Sequence, residues 1–250
     1  MSTNSGITRR VTLMATAGVT AAAGLTTTGL LATPAAAAPE PLRNDELKEA
    51  LRRARARHRR LRTGRPSANG WQMQKAVDAD GDIVTTSVAG AGLSVPLRTG
   101  DTETVLTHVI RRFHYEVDAL GTGGEPNPLE GWVAPSAVRD SRRPESNQAS
   151  GTAVVIRPGS YPPGVRDGFT EGQRLVIRDI LADTEGVVRW GGDDRRPYEG
   201  LFYLGVPPGD ARLARVAARI RSWNETPGAG AGVVPDVTEP ARRRRPARYR

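Results

Sequence analysis

Asp193, Asp194 and Glu199 place three carboxylates in one short stretch, the raw material for an acid and base pair if their surroundings drive their pKa values apart. The run Asp193-Asp194-Arg195-Arg196 also reads as a polar turn whose charges pair with one another, the commoner meaning of such a pattern. A second acidic group, Asp78-x-Asp80-Gly81-Asp82, opens like a calcium loop. Its glycine comes too early, and the closing position, which needs a bidentate Glu, is Ala89, so a tight turn between strands is the expectation. Histidine is scarce, with His58, His108 and His114 the whole supply. On one helix the last two stand about 240° apart around the axis, too far to share an ion. The absence of cysteine excludes disulfides and thiolate metal ligands. No phosphate-cradling glycine loop, serine-nucleophile elbow or dinucleotide fingerprint is convincing.

These residues must be positioned by elements that the hydrophobic spacing outlines. Leu47, Ala50, Leu51, Ala54 and Leu61 recur at helical spacing over 44–62, with Asn44 or Asp45 as N-cap and Gly64 and Pro66 as stop. Residues 83–97 read as two short strands joined by a turn at Gly90 and Gly92. A helix starts near Thr102 with Val105, Leu106, Val109, Ile110, Phe113 and Val117 as its apolar stripe. The Gly/Pro-rich stretch 121–147 reads as a loop, and 152–156 as a buried strand. Thr170-x-x-Gln173 is a capping box opening a helix that Gly186 ends. Strands are expected at 187–190 and 201–206, on either side of a polar turn, and a last helix at 210–223. Mixed helices and strands without regular alternation make the class α+β. The length, 250 residues, suits one domain with appendages.

Two blocks have the order and spacing of a known family. Ser146-Asn147-Gln148-Ala149-Ser150-Gly151-Thr152-Ala153-Val154-Val155 is followed by Gly186-Val187-Val188-Arg189-Trp190-Gly191-Gly192-Asp193, with Thr104-Val105-Leu106-Thr107-His108-Val109 and Arg111-Arg112-Phe113-His114 upstream. Together these resemble the zinc-dependent D-Ala-D-Ala carboxypeptidase and endolysin family over roughly 83–206. The resemblance implies a small antiparallel sheet packed with helices, the fold those peptidases share with Hedgehog. Active members carry Ser-x-His-x-x-Gly-x-Ala-x-Asp and a later acid-x-x-His, which supply the zinc ligands and a carboxylate base. Here Ser146, Gly151 and Ala153 match, whereas the first His position is Gln148 and the Asp position is Val155. The last His position falls on or near Leu201, and the base position on Tyr198, or on Glu199 if the register slips by one.

An amide and two hydrocarbons are the wrong chemistry for zinc, which takes imidazole, thiolate or carboxylate donors. The expectation is therefore a degenerate, non-catalytic member with no metal and no cofactor. Gln148, Val155, Tyr198, Glu199 and Leu201 mark its vestigial site, and Ser146, Gln148, Arg189, Trp190 and Asp193 line a surviving ligand groove. Peptidoglycan stem peptides are the ligand that the resemblance implies. The alternative is an active metallopeptidase or carboxypeptidase of the cell wall with an atypical site.

The ends set the location. Thr8-Arg9-Arg10-Val11-Thr12-Leu13 precedes a weakly apolar Ala/Thr/Gly-rich stretch and a small-residue cleavage site at 35–38, the pattern of a twin-arginine export signal cut after Ala37. Thr26, Thr27, Thr28 and Pro34 dilute the run below what a membrane span needs, so no span is expected after cleavage. The expected organisation is a signal peptide over 1–37, a basic helix over 38–64, a peptidase-like domain over 65–223 and a disordered Pro/Gly- and Arg-rich tail over 224–250. The net charge of +9 is concentrated at the ends: 241–250 holds six Arg and no acid, while 65–240 holds more acids than bases. On an exported, envelope-located protein such ends suit anionic wall polymers; nucleic acid is not the expected partner.

Overall fold

A computed structural model describes residues 44–122, 124–233 and 235–246; the expected export signal lies outside them. The chain runs as helix α1 (Asn44–Leu61), strands β1 (Arg62–Pro66), β2 (Gln72–Gln74), β3 (Ile83–Val88) and β4 (Leu93–Arg98), helix α2 (Asp101–Glu116) and strand β5 (Leu129–Glu130). Two short 3-10 turns, Pro135–Ala137 and Pro144–Ser150, lead to β6 (Ala153–Ile156). Then come α3 (Glu171–Asp183), β7 (Val188–Trp190), β8 (Leu201–Leu204), α4 (Ala211–Glu225) and α5 (Pro240–Arg243). This is a mixed α+β architecture with small antiparallel sheets: β1 with β2, β3 with β4, and a four-stranded sheet in the order β5-β6-β8-β7.

The capping box at Thr170 is formed as its sequence predicts, with the Thr170 hydroxyl accepting from the Gln173 amide and Gln173 reaching back to the Thr170 amide. Asp210 caps α4 by accepting from the Arg212 amide at 2.8 Å. The α2 stripe of Val105, Leu106, Val109, Ile110 and Phe113 is wholly buried, and Phe113 meets Phe169 and Phe202 edge-on at 5.9 and 6.1 Å between centroids. Each such side chain contributes roughly 1.5–3 kcal/mol of burial, which fixes α2 against the sheet.

Two elements differ from the sequence reading. The hairpin of β1 and β2 has no alternating apolar pattern, only the Asn69-Gly70 turn dipeptide, where Gly70 adopts φ 83°. The tail, expected to be disordered, includes α5, whose Arg242 reaches Asp179 at 2.7 Å, while Arg245 reaches Asp183 at 3.0 Å. No helix among the described residues is long and apolar enough to cross a membrane.

Candidate functional site

Alternation along the strands gives the four-stranded sheet two unlike faces. Val154, Ile156, Val188, Trp190, Phe202 and Leu204 enter the main core with the helices. Ala153, Val155, Leu201 and Tyr203 point the other way and form a second, small cluster with Tyr198. Val155 stands directly opposite Leu201 on one side and Glu130 on the other. Gln148, from the 3-10 turn before β6, donates its side-chain amide to the Glu130 carbonyl at 3.3 Å. Gln148 therefore meets the edge of this patch through Glu130, the strand neighbour of Val155.

A cleft of about 360 Å³ opens beside that patch, lined by Glu130, Arg143, Glu145, Ser146, Gln148 and Arg196 among others. Burial, reinforced by the charges of Glu130 and Glu145, pushes the Tyr198 hydroxyl up to about 12, so it stays protonated as a donor across the physiological range. Burial also raises Asp194 and Tyr203, which are joined by bonds of 3.0 and 3.2 Å from the Tyr203 hydroxyl to the carboxylate.

The block that carries Gln148 is held by buried polar contacts with the β1–β2 hairpin. Ser146 Oγ accepts from the Ala68 amide at 2.9 Å and donates to the Ser141 carbonyl at 2.9 Å. Ser67 Oγ meets Ser150 Oγ at 2.9 Å, Ser150 meets Thr152 at 2.8 Å, and Asn69 Nδ2 donates to Thr152 Oγ1 and to the Leu204 carbonyl, each at 2.9 Å. Gly151 turns the chain at φ 68°, and a Cβ there would come within 2.8 Å of the Arg98 amide, so only glycine fits. Ser146 is thus a buried tie as well as part of the cleft wall.

The remaining predicted groove residues lie elsewhere. Arg189, Trp190 and Asp193 line a second cleft of about 790 Å³ along the outer edge of β7, together with Arg178 and Asp194. Trp190 belongs to the main core, and Arg178 stacks 5.1 Å from its ring while pairing with Asp193. Glu199 accepts from the Asp167 and Gly168 amides at 3.1 and 2.8 Å, which commits it to holding that loop. Asp193, Asp194 and Glu199 are therefore engaged by three different partners rather than by one another.

The histidines are equally dispersed. His58 lies 3.4 Å from Asp82, His108 is buried 3.9 Å from Asp183, and His114 Nδ1 accepts from the Leu120 amide at 2.9 Å. Asp78 accepts from the amide and hydroxyl of Thr85 at 2.8 and 2.7 Å, as a tight turn requires, and Asp82 pairs with Arg98 at 2.5 Å. Among the described residues, no three His, Cys, Asp or Glu side chains gather as a metal group. Glu130 and Glu145 were not singled out by the sequence, because each reaches the cleft from a short strand or an irregular segment that has no periodicity, and Arg196, read only as a charge of a polar turn, lines the cleft instead. Compared with protein-family models, curated proteins and solved structures, the chain finds no match.

Proposed function

We propose that this chain is a cell-envelope protein exported by the twin-arginine route, and that its domain is a D-Ala-D-Ala carboxypeptidase-like fold without catalysis. Its cleft beside Gln148 binds peptidoglycan stem peptides. The observation that carries this reading is the pairing of Val155 with Leu201 on the sheet face next to Gln148. The family's zinc does not fit these residues: two of the three are hydrocarbons packed among Ala153, Tyr198 and Tyr203, and the third is an amide engaged with a carbonyl.

A peptide suits the cleft better than a polymer of one charge. Its walls carry both signs, with Glu130 and Glu145 among Arg139, Arg143 and Arg196, and stem peptides carry both amines and carboxylates. Isothermal titration of the full chain with muropeptides of increasing stem length tests the reading. Saturable heat is expected, weakened by Arg196→Glu; absence of heat at every length removes the proposal. Release of D-alanine from a D-Ala-D-Ala peptide would favour an active peptidase instead.

A further inference from the structure

Among the described residues, helix α1 differs from the other long helices α2, α3 and α4 in having no buried residue. Leu47 and Leu51 are 45% and 47% exposed, one helical turn apart on the same face. At 100° per residue they fall with Ala54, His58 and Leu61 inside an arc of about 80°, a narrow apolar stripe. Only the lower end of this stripe meets the rest of the domain: the Leu61 carbonyl accepts from the Lys75 amide at 2.8 Å, and His58 lies beside Asp82. The remaining faces are dominated by arginine. Arg53 pairs with Glu49 at 3.0 Å and Arg57 with Asp80 at 3.5 Å, whereas Arg52, Arg55, Arg59 and Arg60 have no ion pair among the described residues.

An isolated helix of this length is marginal in water, and arginines four residues apart, such as Arg55 and Arg59, repel one another. Whatever covers this helix must relieve that repulsion and bury the leucines together. A second copy would bring two arginine belts side by side. A soluble polyanion would neutralise the arginines but leave Leu47 and Leu51 in water. A bilayer surface rich in anionic lipid answers both, with headgroup phosphates around the arginines and the leucines at the acyl boundary. We infer that α1 is a membrane-surface helix, which lies in the interface of an anionic bilayer and holds the domain against it. This inference does not depend on what the Gln148 cleft binds.

Vesicle co-sedimentation of the full chain tests it. Binding is expected to vesicles of phosphatidylglycerol with phosphatidylcholine, and not to phosphatidylcholine alone. Leu47→Ala with Leu51→Ala should weaken binding at least about tenfold, because two leucines no longer reach the hydrocarbon. Arg52→Glu with Arg55→Glu and Arg59→Glu should abolish it. Both variants should keep the parent melting temperature, since no residue of α1 is buried. The inference is overturned if both vesicle types bind equally or not at all. It is overturned equally if the leucine variant binds anionic vesicles as the parent does, which would assign the arginines to a soluble polyanion, or if sedimentation shows a dimer that the leucine variant dissociates.

Discussion

Two polar networks are buried in this domain, one neutral and one charged. The first ties the β1–β2 hairpin to the Gln148 block through hydroxyls and amides of Ser67, Asn69, Ser150 and Thr152. The second joins α2 to α3, where Arg112 reaches Glu116, Asp179 at 2.9 Å and Asp183 at 2.6 Å, all nearly fully buried. Arg242 and Arg245 from the tail add further positive charge to Asp179 and Asp183. The neutral network places the cleft by directional bonds and is indifferent to proton concentration. The charged one depends on a balance of buried ions that acid disturbs. Next to it, both ring nitrogens of His108 are buried without a hydrogen-bond partner among the described residues.

The sharpest way to separate the two is to remove the shared cation. Arg112→Met leaves three buried carboxylates facing one another and should lower unfolding free energy by about 3–5 kcal/mol at neutral pH, read by urea denaturation. An unchanged midpoint would mean that the tail arginines alone hold the acids. In the neutral network, Asn69→Ala removes the bonds to Thr152 Oγ1 and the Leu204 carbonyl, while Thr152 keeps Ser150, and should cost about 1–3 kcal/mol. That loss should be the same at pH 5 and pH 8; a strong pH dependence would erase the distinction between the two regions.

The pH profile of the parent protein carries a smaller effect with a defined sign. Burial lowers the His108 pKa below its ordinary 6.5, so the unfolded chain takes up a proton first and stability falls as pH drops below about 6.5. Burial would raise Asp183, but the neighbouring His108 ring and Arg112 outweigh it and hold the carboxyl at about 2, against 3.8 unpaired. Its contribution, about 2 kcal/mol, is complete above 3.8 and is lost as pH falls through 2. Thermal melts across pH should show both windows, and His108→Gln should flatten the upper one and, because the ring helps to hold Asp183 down, narrow the lower one.

Periodic and capped elements were legible in the sequence because local rules govern them. The α2 stripe, the Thr170 capping box, the hairpin of β3 and β4 and the strands bearing Val155 and Leu201 appear where spacing predicts them. That Gln148, Val155 and Leu201 offer one amide and two hydrocarbon side chains was equally readable, since residue type alone decides it. Positions that long-range contacts decide were not. Whether Trp190 faces the cleft or the core depends on which side of β7 packs on the helices, and its ring goes to the core. The Ser67 and Asn69 contacts to the Gln148 block span some eighty positions of chain, a distance over which composition carries no signal. The docking of Arg242 likewise needs the Asp179 and Asp183 pocket, which exists only once α3 has packed on α2.

Metal content tests the central claim most directly. The purified full chain, loaded with zinc, dialysed exhaustively and measured by plasma mass spectrometry, should retain far less than one zinc per chain, with no difference in a Gln148→Ala variant. One tightly held zinc per chain, lost in that variant, would show that the patch of Gln148, Val155 and Leu201 still grips a cation and would contradict the account.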